Sequence, residues 1–155
     1  MAQWDRDRLL ELVPEAEAVT WEPDHTALDW IQWAGTAGQA IAYSQLFWPD
    51  FVEHDGCLFL ADGFDPDNYQ HCMESSNGDR TRVESVINHR HILDIFDQSP
   101  PSRAQIMHLG KVLQSMWGTK LRAEFPGRAV VVWFPEDEDL SDDLDYQITF
   151  FQDRS

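Results

Sequence analysis

Three clusters in this sequence carry side chains with chemical potential. The first is His54-Asp55-Gly56-Cys57, with Asp65, Asp67, His71 and Cys72 downstream, all donor types that bind zinc or another transition metal. Alternation along a single strand would set His54 and Cys57 on opposite faces unless Gly56 bulges, and no C-x-x-C or H-E-x-x-H spacing is present. The subset able to converge is His54, Asp55, Asp65 and His71, which would make a metal-binding protein or a metal-dependent hydrolase. The competing reading is a turn flanked by core thiols, with Cys72 on an inward helical stripe where a free cysteine acts as a small hydrophobe.

The second cluster is His89-Arg90-His91. On a strand both imidazoles face one side, as a ligand or acid–base pair would require; on a helix they diverge by about 200°. The helical pattern just upstream favours the helix and two separate surface histidines. The third is the loop over residues 135–145, with Glu136, Asp137, Glu138, Asp139, Asp142, Asp143 and Asp145 interrupted by Leu140 and Leu144. Such a loop offers a partner electrostatic steering and an apolar foothold. It lacks the glycine and oxygen spacing of a calcium-binding EF-hand, and a solvated loop that guards a sheet edge is the competing reading. There is no nucleophile elbow, phosphate loop or dinucleotide fingerprint, so no catalytic residue and no cofactor is assigned.

Charge narrows the partner classes. With 28 Asp+Glu against 11 Lys+Arg, the net charge is −17, which repels phosphate backbones and anionic lipid heads. No nucleic acid and no membrane is expected as partner; a basic protein is. Size, charge and acidic loop are similar in kind to immunity- or antitoxin-like inhibitors of basic toxins, a compositional analogy without a shared motif. A subunit of a larger assembly, with aromatic residues exposed on the monomer, is a further possibility. Two cysteines and a charged N-terminal stretch without a signal peptide read as free thiols in a cytoplasmic protein.

The elements that must position these groups predict one α+β domain over residues 1–155: several amphipathic helices packed on a small, mainly antiparallel sheet. Leu9, Leu10 and Val13 predict a helix over 4–13, followed by a loop with Trp21 pinned to the body. Ala27, Trp30, Ile31 and Ala34 predict a helix opening near Asp24 or Thr26 and ending at Gly35 by its tolerance of positive φ. Thr36 and Gln39 form a capping box for a third helix lined by Ala37, Ala40, Ile41, Ser44, Phe47 and Trp48, ended by Pro49. Residues 51–61 read as one strand bent at Asp55-Gly56, buried on both faces at Cys57-Leu58-Phe59-Leu60. Asp65-Pro66 opens a helix with Tyr69, Cys72 and Met73 inward. Thr81 and Glu84 form a second capping box, with Val83, Val86 and Ile87 inward, and residues 88–96 are helix or short strand. Ser102 and Gln105 cap the longest helix, through Ile106, Leu109, Leu113, Met116, Trp117 and Leu121. Residues 128–134 predict a central strand, and 146–151 an antiparallel return.

Overall fold

The computed structural model describes residues 6–18, 26–136 and 139–155. Among them are seven α-helices and five strands, in the α+β arrangement anticipated. The chain divides into two compact units, Met1–Tyr43 and Ser44–Ser155. Trp4, Trp21, Asp24 and His25 lie outside the described residues.

In the first unit, α1 (Arg6–Glu11) packs against α2 (Ala27–Ala34). Thr26 and Asp29 cap α2 reciprocally, since the Thr26 side chain accepts from Asp29 N–H while the Asp29 carboxylate accepts from Thr26 N–H at 2.6 Å. Gly35 ends it for a different reason than expected: its φ is −77°, and an added Cβ would lie 2.5 Å from the Ile31 carbonyl oxygen. Close approach, not a left-handed turn, requires glycine there. α3 (Ala37–Phe47) carries the anticipated capping box, with Thr36 N–H donating to Gln39 Oε1 and Gln39 N–H to Thr36 Oγ1, each at 3.1 Å. Its predicted inward face is not inward. Ala37, Ala40, Ile41 and Ser44 are exposed, whereas Leu46 and Phe47, at the end of α3 and already part of the second unit, pack on that unit's own core.

The second unit opens with a hairpin, not a bent strand. β1 (Phe51–His54) pairs antiparallel with β2 (Cys57–Leu60), and Asp55 (φ 51°) with Gly56 (φ 75°) forms a two-residue turn in which both central residues take positive φ. Asp-Gly is the favoured dipeptide for this turn because its twist matches that of the flanking strands. β2 is fully buried and parts two cores: Leu58 and Leu60 join Ile106, Leu113, Trp117, Leu121, Ile148 and Phe150 on one side, while Cys57 and Phe59 join Tyr69, Val83 and Ile87 on the other.

α4 (Pro66–Ser75) starts with Pro66 in its first turn and Asp65 as cap, as expected, with Tyr69 inward. α5 (Arg80–Ile87) is capped by Asp79, which accepts from Arg82 N–H at 3.1 Å, and not by the predicted Thr81–Glu84 box. Thr81 donates to the Gln152 carbonyl at 3.0 Å, Glu84 is buried, and Val86 faces solvent. The ambiguous residues 88–96 supply both β3 (Arg90–His91) and α6 (Ile92–Ile95).

α7 (Arg103–Glu124) runs from the Ser102–Gln105 capping box and packs on β4 (Val130–Trp133) and β5 (Gln147–Gln152). The sheet order is β3-β5-β4, all antiparallel, so β5 is central and the predicted central strand lies at the edge, with Val131 and Trp133 exposed. Trp117 Nε1 donates to the Leu46 carbonyl at 2.9 Å and Lys120 Nζ to that of Pro49 at 2.6 Å, which ties α7 to the segment before β1. At Gly110 of α7 an added Cβ would lie 2.1 Å from the Phe134 ring. Gly110→Ala should therefore force α7 and Phe134 apart and destabilise by about 1–3 kcal/mol; an unchanged urea midpoint would contradict that contact.

Candidate functional site

The hairpin turn gathers the first cluster, but as structure. His54 is the cross-strand partner of Cys57, so the two share a face, contrary to the single-strand reading. Its imidazole lies tilted against the Phe64 ring at 5.0 Å and edge-to-face with the Tyr69 ring at 4.8 Å. Asp55 accepts from Tyr69 Oη at 2.9 Å and from Arg80 Nη2 at 3.2 Å. Asp65 is occupied with the N–H groups of Asp67 and Asn68, and His71 is exposed on α4. The proposed quartet His54, Asp55, Asp65 and His71 thus does not converge. Among the described residues no three His, Cys, Asp or Glu side chains come together as a metal site. The physical reason is the tight turn, which spends Asp55 on Tyr69 and Arg80, together with the helix start, which spends Asp65 on the α4 backbone.

Two groups here are held protonated. Burial first, then Glu84, raises the Cys57 thiol above its ordinary value, the reverse of what a thiolate nucleophile needs. Tyr69 is pushed up to about 12, mainly by burial and next by its hydrogen bond to Asp55. Its folded value lies above the unfolded one of 10.0, so its contribution to stability is complete below about pH 10 and is lost as pH rises through about 12. Alkaline unfolding should lose that component in Tyr69→Phe; identical profiles for parent and variant would contradict the assignment.

One densely connected polar group is one that sequence reasoning missed. Glu84 is fully buried. Oε1 accepts from Leu58 N–H at 2.8 Å, Gln152 Nε2 at 2.6 Å and Arg154 Nη2 at 3.0 Å; Oε2 accepts from Gln152 N–H at 2.8 Å and Arg154 Nη1 at 2.7 Å. A carboxylate has about four lone-pair directions, and these donors occupy them. One turn on, Asn88 accepts from Leu60 N–H at 3.0 Å and donates to the carbonyls of Leu58 at 2.9 Å and Phe150 at 3.1 Å. The two side chains share a face of α5 and join the edge of β2 to the edge of β5.

Three cations converge on the same end: Arg80 with Asp55, Arg128 with Glu53 at 2.6 Å, and Arg154 with Glu84. Each is paired, so this end is a brace rather than an anion site. Glu84→Ala should destabilise by about 3–5 kcal/mol, because the strand N–H groups and the Arg154 guanidinium lose their shared acceptor. A loss below about 1 kcal/mol in urea unfolding would show the network to be dispensable.

The second cluster departs from the favoured helical reading. α5 ends at Ile87, the backbone is extended through β3, and the rings of His89 and His91 meet at 5.2 Å, nearly perpendicular. Each Nδ1 contacts a backbone carbonyl, Val86 for His89 and Leu144 for His91. A carbonyl only accepts, so each Nδ1 is the protonated nitrogen.

That Leu144 contact belongs to the third cluster. Glu136, Asp139, Asp142 and Asp145 are exposed, whereas Asp137 and Glu138 lie outside the described residues. Asp143 is half-buried and accepts from Arg103 Nε at 2.9 Å and Nη2 at 2.8 Å, a pairing that raises the guanidinium above its ordinary value. Asp142 accepts from Leu144 N–H at 2.9 Å and Tyr146 Oη from Leu140 N–H at 3.1 Å. Leu140 packs on the core, so of the two leucines only Leu144, 43% exposed, remains as a foothold.

No family model, curated protein or solved structure matches this chain. No helix among the described residues is long and apolar enough to cross a membrane.

Proposed function

We propose that the chain is a non-catalytic protein-binding module that receives a basic protein on the acidic loop 135–145, in the manner of an immunity- or antitoxin-like inhibitor. One observation carries the reading: the exposed carboxylates of Glu136, Asp139, Asp142 and Asp145 stand on a loop already tied down. The ties are Leu140 in the core, Tyr146 on the Leu140 N–H, Arg103 on Asp143, and His91 on the Leu144 carbonyl. A surface ordered beforehand loses less conformational freedom on binding, and clustered charge of one sign speeds encounter with the opposite sign. His54, Asp55, Cys57 and Asp65 of the hairpin end are by contrast engaged in packing and internal pairing, which supports a binding reading over an enzymatic one.

The test is association kinetics with a partner captured at low salt from the source cells. The variant Glu136→Gln/Asp145→Asn removes two negative charges while keeping the four ties named above. It should associate roughly tenfold more slowly at low salt and show a shallower salt dependence. Equal rates for parent and variant would place the interface elsewhere. Arg103→Ala, which loosens the loop without removing a carboxylate, should act mainly by speeding dissociation.

A further inference from the structure

His89 and His91 flank Arg90 in extended backbone, where alternate side chains share a side, and their rings meet at 5.2 Å, nearly perpendicular. Both are partly buried. Each ring is held through its Nδ1–H, which donates to the Val86 carbonyl from His89 and to the Leu144 carbonyl from His91. That hydrogen bond fixes the tautomer and leaves Nε2 as the nitrogen with the free lone pair. No described residue hydrogen-bonds either Nε2. Arg90, between them, pairs with Asp62 at 3.4 Å.

Two imidazoles held in this way have the chemistry of a transition-metal site. A histidine that ligates a metal through one nitrogen characteristically donates its other ring N–H to a carboxylate or backbone carbonyl, and both rings here are already in that state. Their spacing fits as well. With zinc–nitrogen bonds of about 2.0–2.1 Å and a ring centre roughly 1.15 Å behind each nitrogen, two imidazoles on one tetrahedral ion have centres about 5.2 Å apart. The net charge of −17 draws cations toward the chain. We propose that His89 and His91 bind one divalent ion of the zinc class through Nε2, with water completing its coordination, a site that stands whether or not the acidic loop receives a basic protein. Two protein ligands, with no third His, Cys, Asp or Glu beside them among the described residues, make it an exchangeable site and not a closed structural one.

Titration of the tag-free full chain with zinc chloride, beside magnesium chloride, tests this. Carboxylates alone would take both ions, whereas imidazole nitrogen selects zinc. The expected result is one zinc per chain, retained in excess magnesium, with the Nε2 signals of His89 and His91 moving together in ¹⁵N spectra while each Nδ1 keeps its proton. His89→Gln and His91→Gln should each weaken zinc binding at least about tenfold and leave the response to magnesium unchanged. Zinc that magnesium displaces, or zinc binding untouched by either substitution, overturns the inference. So do Nε2 signals that stay in place on zinc addition, a reading taken on the parent chain and independent of how either variant folds.

Discussion

The Glu84 carboxylate answers a problem that this architecture creates. The two small sheets share no backbone ladder, yet the facing edges of β2 and β5 are buried, and buried N–H and carbonyl groups must find partners. β3 covers the β5 edge only at Gln147 and Ile148; beyond it, Asn88 takes the Phe150 carbonyl and Glu84 takes the Gln152 N–H. Side chains of α5 thus continue, in place of a strand, the pairing that β3 begins. A buried carboxylate in turn demands a cation, and Arg154, just beyond β5, supplies it. Helix, hairpin, central strand and the residues after it are joined through one acid, with the cooperativity that a fully satisfied network brings.

That constraint explains why the polar residues around the hairpin are structural. Gly56 is held by its carbonyl, which receives Gln152 Nε2 at 3.0 Å and Arg154 Nη2 at 3.3 Å, and this in turn fixes the turn that aims Asp55 at Tyr69 and Arg80. With β2 walled between two cores, Cys57 is a buried, protonated thiol and His54 an aromatic neighbour of Phe64 and Tyr69. The recognition surface proposed for this chain lies away from that network, on the braced acidic loop.

Sequence reasoning read best where a signal is local. The Thr36–Gln39 and Ser102–Gln105 boxes, Asp65-Pro66 and the apolar repeat of α7 all formed as anticipated, because capping and helical periodicity act within a few residues. It failed where two local solutions competed. Thr81 and Glu84 have capping-box spacing, but burial between two sheet edges needs Glu84 more, and Asp79 caps instead. Asp55-Gly56 fits a bend or a hairpin, and the pairing of Phe51–His54 with Cys57–Leu60 selects the hairpin. The inward face assigned to α3 failed differently, since apolar periodicity states that a face is to be covered but not by what.

The first cluster, His54 to His71, could be seen in the sequence as a set of donors, but whether the donors meet is a matter of geometry. By itself the sequence determined the α+β class, most helix starts, the buried β2 run and the acidity that disfavours nucleic acid and anionic lipid. The tertiary structure alone decided that His54 and Cys57 share a face, that β5 and not β4 is central, that Leu140 turns inward, and that Glu84 bridges two sheets. The division has one physical reason. Capping, periodicity and net charge depend on neighbours along the chain, whereas strand order, burial of a carboxylate and convergence of side chains depend on partners such as Leu58 and Gln152, far from Glu84 in sequence.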